Sequence, residues 1–169
     1  NKVNFIWAIH PGGAFTENKD NNVIGKIMNK FEKMYNLGVR QFGIFVDDIG
    51  VPTDSISLAL NAKRLTEAQH AVEERWNKTY KTAADTVKPI NFVPQLYAYS
   101  WFNDTVRHNF FSALSHTPKN VEVYITGAKV WSVPNSHDLE IVSKSFGRSL
   151  AWWWNYPCND NDMSKLFVR

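Results

Sequence analysis

The sequence predicts an α/β fold of parallel βα units, and three observations carry that prediction. Strand-like apolar runs alternate along the chain with segments of helical periodicity. The strand-like runs are apolar throughout rather than alternating, which is the pattern of strands in a parallel sheet covered by helices. The chain has 169 residues, enough for one domain with a core but short of the roughly 250 that eight βα units usually take. On this ground two architectures stay open: an open doubly wound sheet, or part of a (β/α)8 barrel.

The first strand is "VNFIWAI" (Val3–Ile9), closed by the turn "HPGG". From Val23, apolar residues at Ile24, Ile27, Met28, Phe31, Met34 and Tyr35 recur at helical spacing, and Gly38 stands where a C-cap glycine belongs. "QFGIFV" is the second strand. A loop through Pro52 leads to a second helix, whose apolar face is Leu65, Ala68, Val72 and Trp76. "INFVPQLYAY" (Ile90–Tyr99) reads as the third strand. "NDTVRHNFFSAL" is the third helix, with Val106, Phe110 and Leu114 inward. "VEVYIT" (Val121–Thr126) is the fourth strand, ended by Gly127. Asp138–Phe146 forms the fourth helix and "SLAWWWNY" (Ser149–Tyr156) the fifth strand. No internal repeat, low-complexity tract or linker interrupts the series, so residues 1–169 read as one unit without a second domain.

Composition narrows the function classes. Hydrophobic residues make up 44% and charged residues 21%, which is globular rather than disordered. The net charge of +3 is mild and the Lys and Arg residues are scattered, so no nucleic-acid partner is expected. No apolar stretch approaches the roughly 20 residues that span a bilayer, so no membrane partner is expected. The opening "NKVNFIWAIHPGG" is strand-like and does not read as a signal peptide. Cys158 is the sole cysteine, which leaves the compartment undecided and reads as packing. Trp, Tyr and Phe are abundant. Most belong in the core, and those near polar strand ends suit a sugar-binding cleft.

In parallel α/β folds the chemistry sits at the carboxyl ends of the strands. Here those ends collect His10, then Asp47 and Asp48, then Tyr97 and Tyr99, then Thr126, then Asn155, Asn159, Asp160 and Asp162. The adjacent aspartates are the sharpest signal. Neighbours on a strand point to opposite sides, so the two carboxylates reach different atoms. Like charge and partial burial raise the pKa of one member, and a carboxyl kept protonated near neutrality can act as a general acid. The pair suits one proton donor and one charged hydrogen-bond acceptor. The plainer alternative is a helix N-cap or a turn.

His10 precedes Pro11 and lies in extended or turn backbone, where a surface loop and a site residue fit equally well. "NDND" (159–162) lacks the glycine and distal glutamate of an EF-hand loop and reads as a polar turn. In "WWW" (152–154) the faces alternate, placing one ring in the core and one toward a cleft. "NKT" at Asn77 and "NDT" at Asn103 match the glycosylation sequon, a pattern short enough to arise by chance.

"GIFVDDIG", "VPQLYAY" and "WWWNYPCND", in that order and at these spacings, resemble glycoside hydrolase family 84. That family comprises bacterial β-N-acetylglucosaminidases, often labelled hyaluronidases, and the O-GlcNAcases. "WAIHPG" and "YITGAKV" resemble its adjoining strands, so the likeness spans nearly the whole chain.

The resemblance implies the central portion of a (β/α)8 barrel, with about five strands and four helices present and the rest of the barrel as its structural partner. It implies retaining, substrate-assisted hydrolysis, in which the sugar's 2-acetamido oxygen attacks the anomeric carbon and replaces the usual carboxylate nucleophile. By this resemblance Asp47 orients the acetamido nitrogen, Asp48 is the acid and then the base, and Tyr97 bonds the acetamido oxygen. Asn155, Asp160, Trp153 and Thr126 bind substrate, with Asp160 on the sugar's 4- and 6-hydroxyls and Trp153 in the pocket wall. The family often has an acidic residue just before the tyrosine, where this chain has Leu96. The implied substrates are N-acetylglucosamine-containing glycans or glycoproteins. No metal or organic cofactor is required, and a secreted or cell-surface bacterial setting is favoured. Two rival readings compete: a metal-dependent hydrolase using Asp47, Asp48, His10 and Asp160 as ligands, and a non-catalytic carbohydrate-binding module using the aromatic cleft.

Overall fold

The computed structural model describes residues 4–80 and 82–155. Five parallel strands form one sheet: β1 Trp7–Ile9, β2 Phe42–Phe45, β3 Asn91–Val93, β4 Glu122–Ile125 and β5 Ala151–Trp152. They lie side by side in chain order. This order decides between the two architectures. A doubly wound sheet reverses direction at a switch point, whereas consecutive right-handed crossovers put every helix on the same face and roll the sheet toward a barrel.

The helices are a short α1 (Gly13–Thr16), then α2 (Val23–Asn36), α3 (Ser55–Val72), α4 (Asp104–Leu114) and α5 (Ser136–Phe146). α3 runs on through a π-helical turn, Glu73–Asn77, that buries Trp76. Each long helix after α2 begins with a side-chain cap. Asp54 accepts from Ser57 N–H, Asn103 from Val106 N–H and Asn135 from Asp138 N–H. Such caps satisfy donors that the first turn leaves unpaired. Gly38, after α2, has φ 99°, as its C-cap reading requires.

The core lies between the helices and one face of the sheet, around Phe31, Phe42, Ile44, Leu65, Phe92 and Phe146. Phe31 and Phe42 stack at 4.3 Å, joining α2 to β2. The other face carries Phe45, Val93 and Tyr124, flanked by Tyr97 and Trp153. Toward the amino ends of the strands this helix-free face turns polar. Gln41 donates to Asn91 (2.8 Å), and Asn91 donates to Glu122 (2.7 Å) and to Tyr124 (2.8 Å). Tyr124 donates to Glu122 at 2.8 Å, and burial, with the Glu122 carboxylate beside it, pushes its phenol up to about 12.

Several element bounds differ from the sequence expectation. The third strand stops at Val93 rather than Tyr99, because Pro94 follows and has no N–H to give to a ladder. The chain beyond it re-pairs through a single parallel bridge, Ala98 with Gly127. The first and fifth strands are also shorter than read, at Trp7–Ile9 and Ala151–Trp152. α1 has no counterpart in the sequence reading, yet its Phe15 is fully buried. In α3, Asn61, Arg64 and Gln69 are buried although polar. Arg64 donates to the carbonyls of Ala14 and Asp20, tying the segment after β1 to α3.

Gly127 has φ +100°, and a Cβ there would sit 2.6 Å from Trp152 Cη2 and 2.9 Å from Ser132 Cβ. Strain and overpacking together predict that Gly127→Ala costs about 2–3 kcal/mol. Denaturant unfolding of the full-length protein checks this, and an unchanged midpoint would contradict it.

Candidate active site

The carboxyl ends of β2, β3 and β5 bring together residues far apart in sequence. Val46 N–H donates to Val93 O at 2.9 Å and prolongs the β2–β3 pairing by one residue. The chain then leaves the strand in a turn that carries Asp47 and Asp48. Asp48 has φ 56°, the one left-handed residue other than glycine among those described. Aspartate tolerates this conformation better than most residues, at a cost of about 1 kcal/mol. The expectation of two strand neighbours facing opposite ways is therefore corrected. Asp47 and Asp48 lie in a turn past the end of β2, so strand alternation does not set their side chains.

Asp48 is exposed, and its Oδ1 accepts from the Tyr97 hydroxyl at 2.8 Å. Asp47 is half-buried. Its burial, reinforced by the charge of Asp48, raises its pKa, while its own backbone N–H and His10 work in the opposite direction. His10 bonds to backbone. Its Nδ1 accepts from Gly12 N–H (3.2 Å), so Nε2 carries the proton and donates to the Asp47 carbonyl at 2.7 Å. Both ring nitrogens are thus engaged. Among the described residues no group of three or more His, Cys, Asp or Glu side chains is gathered as metal ligands.

Tyr97 is buried, and its ring meets Trp153 at 5.7 Å and Trp101 edge-on at 5.0 Å. Trp153 also lies against Phe45, at 6.1 Å. The loop holding Tyr97 is stitched to the loop after β4. Thr126 N–H donates to Tyr97 O (2.9 Å), Tyr99 N–H to Gly127 O (2.9 Å) and Ser100 N–H to Ala128 O (3.1 Å). Thr126 is buried, and its hydroxyl reaches the carbonyls of Lys129 (2.6 Å) and Tyr97 (3.3 Å), which puts it in the frame beneath the tyrosine. Asn155 donates to Val130 O at 3.3 Å, which places it beside the same loop. Tyr99 points the other way and donates to Asp138 on α5 at 2.6 Å; burial and that carboxylate push its phenol up to about 12. Asp160, and with it Tyr156, Cys158, Asn159 and Asp162, lies outside the described residues.

The structure therefore brings Asp47, Asp48, Tyr97 and Trp153 together on one rim, with Thr126 below and Asn155 alongside. Sequence reasoning passed over Trp101, although an aromatic in the polar stretch "SWFND" right after a strand end was a usable signal.

A family model described as beta-N-acetylglucosaminidase matches residues 1–169. The chain belongs to the β-N-acetylglucosaminidases of glycoside hydrolase family 84. The rat and mouse proteins named Protein O-GlcNAcase are each 26% identical to this family member over 171 residues, covering 99% of it. It spans 18% of the length of those relatives. Among solved structures, CpGH84B is 32% identical with a TM-score of 0.64, covering 94% of this chain and 27% of its own. An O-GlcNAc hydrolase variant from Thermobaculum terrenum superposes with a TM-score of 0.72 at 23% identity, covering 94% of this chain and 33% of its own. At that identity the likeness speaks for the fold. The five-stranded parallel sheet is accordingly part of a family 84 (β/α)8 barrel.

The raised pKa of Asp47 carries a sign. A carboxyl that holds its proton more tightly when folded supports stability fully below its unfolded pKa, and loses that support as pH rises through its folded pKa. Asp47→Asn should therefore raise the melting temperature at neutral pH, with the gain vanishing below about pH 4. Thermal melts of the full-length protein at several pH values test this; a gain that grows on acidification would contradict it.

Proposed function

We propose that the chain is the central part of a catalytic domain that removes terminal N-acetylglucosamine with retention, through an oxazoline intermediate. The observation that carries this reading is the 2.8 Å bond from Tyr97 to Asp48 with Asp47 beside it, on a rim walled by Trp153. Residues 1–169 form a single unit of that domain. The substrates are N-acetylglucosamine-bearing glycans or glycoproteins.

In the first step the acetamido oxygen forms a bond to C1 as the bond from C1 to the leaving oxygen breaks. Asp48 gives its proton to that oxygen, and its exposed position at the turn suits contact with a leaving group. Asp47 accepts the acetamido N–H, on which positive charge grows. Burial raises its pKa, which the sequence reading expected of the proton donor rather than of the acceptor; the positive charge growing on the acetamido nitrogen favours its ionised form once substrate is bound. In the second step water attacks C1, Asp48 takes its proton and the amide is restored. Two inversions at C1 leave the configuration unchanged.

Tyr97 connects the two aspartates' tasks. One phenolic proton cannot serve Asp48 and the acetamido oxygen together. When the phenol turns to the amide, an Asp48 oxygen is released to face the leaving group. Trp153 and Asn155 wall the acetamido side, Thr126 holds the loop of Tyr97, and Asp160 takes the 4- and 6-hydroxyls.

The test is hydrolysis of aryl N-acetyl-β-glucosaminides by the full-length protein. Asp47→Asn and Asp48→Asn should each lower kcat/KM by about 100-fold or more. Asp48→Asn should recover most of its first-step rate with a strongly acidic phenol as leaving group, since departure then needs no proton. Asp47→Asn should not recover. A chelator should leave the wild-type rate unchanged; loss of activity would instead favour a metal-dependent hydrolase. Sugar binding without turnover would favour a binding module.

A further inference from the structure

Tyr99 takes no part in the hydrolytic steps, yet it is buried two residues from Tyr97 and bonded to a buried carboxylate. Its hydroxyl donates to Asp138 Oδ1 at 2.6 Å. The other oxygen, Oδ2, accepts from Asn135 Nδ2 at 2.9 Å, and the Asp138 N–H donates to Asn135 Oδ1 at 2.9 Å. Asp138 lies in the first turn of α5, where the helix dipole favours a negative charge. From α4 the Arg107 guanidinium lies 5.3 Å from the centre of the Tyr99 ring. Two helices thus hold one side chain in place.

What that side chain holds is the backbone beside Tyr97. Tyr99 opens the 3-10 turn Tyr99–Trp101, and Ala98 before it is extended. Backbone bonds join this stretch to the loop after β4, from Thr126 N–H to Tyr97 O and from Tyr99 N–H to Gly127 O, both at 2.9 Å. They join one loop to another, since residues 128–135 form neither helix nor strand. The bond to Asp138 differs in reaching a helix, and a hydrogen bond to a carboxylate is about twice as strong as one between neutral groups. A tyrosine's hydroxyl stands far from its Cα, so a small backbone rotation carries it through about 1 Å, a misplacement that can cost about 100-fold in rate. The Tyr97 hydroxyl has little room for such a shift, since it already bonds Asp48 at 2.8 Å.

Resting on the hydrolase reading above, we propose that Tyr99 and Asp138 are positioning residues: their bond fixes the backbone at 97–99 and so sets where the Tyr97 hydroxyl sits against Asp48 and the acetamido group. Neither residue touches substrate. Loss of the bond acts through Tyr97, so it lowers kcat and leaves KM nearly unchanged.

The experiment is a double-mutant cycle in the full-length protein, with an aryl N-acetyl-β-glucosaminide as substrate. Tyr99→Phe removes the hydroxyl and keeps the ring. It should lower kcat about tenfold, less than the cost of a full ångström of misplacement. KM should change by less than about twofold, and in a Tyr97→Phe background kcat should also fall by less than about twofold, because the hydroxyl to be misplaced is already gone. Tyr99→Phe leaves the Asp138 carboxylate buried and short of a donor, so Tyr99→Phe/Asp138→Leu, which removes both partners, is the second variant. It should show the same fall in kcat, and the same cycle with Tyr97→Phe, at a melting temperature closer to the wild type. A fall in kcat of equal size in both backgrounds would mean a structural role independent of Tyr97 and would overturn the proposal. So would an unchanged kcat in either variant. If the wild type cleaves no N-acetyl-β-glucosaminide, the hydrolase reading falls, and hydrogen exchange decides on the bond alone. Tyr99→Phe should then speed exchange of the Thr126 N–H, which bonds Tyr97 O, about tenfold while leaving the amides of β2 unchanged. An unchanged rate at Thr126 would refute the hold on Tyr97.

Discussion

Parallel strands laid side by side in chain order impose one constraint from which the rest of this molecule follows. Every strand must end on the same rim, and every return path must cross the same face. The helices therefore share one apolar layer, around Phe42, Ile44 and Phe92, while the opposite face keeps Phe45, Val93 and Tyr124 for the barrel interior. The rim gathers side chains from segments as distant in sequence as those of His10 and Asn155.

The rim is made rigid by its loops rather than by long strands. β3 and β5 are short, yet the loop after β3 is joined to the loop after β4 through Tyr97, Tyr99 and Ser100. Tyr99 then anchors that loop to α5 through Asp138. This bracing allows strain to persist beside it. Asp48 holds a left-handed backbone, and Asp47 keeps a carboxyl in a half-buried place that disfavours its charge. Both features oppose stability, the kind of local cost that clusters at functional sites.

The polar row on the helix-free face is part of the same barrel geometry. Gln41, Asn91, Glu122 and Tyr124 satisfy one another across three strands, which keeps amide and carboxylate groups tolerable in a layer that faces the barrel interior. Ile6 and Trp154 remain exposed at its margins. The chain covers about a quarter to a third of its structural relatives, so a sheet of this kind is one sector of a closed cylinder.

Periodicity by itself determined the class of each main element, because burial on one helix face or in a strand is written locally: Ile27 and Phe31 in α2, Phe42 and Ile44 in β2, Phe110 and Leu114 in α4. Clustering of polar residues at strand ends likewise marked the rim where Asp47, Asp48 and Tyr97 meet. Where strands stop was less legible. Pro94 sits inside an apolar run, and the pairing of Ala98 with Gly127 depends on a loop from elsewhere. Tertiary structure alone decided that the sheet is singly wound, since strand order is not a local property. It also decided that Asp48 turns left-handed toward Tyr97, that His10 spends both nitrogens on backbone, and that Thr126 lies under the tyrosine. Apart from the local bond between His10 and Gly12, these contacts join segments dozens of residues apart, and local sequence carries no term for them.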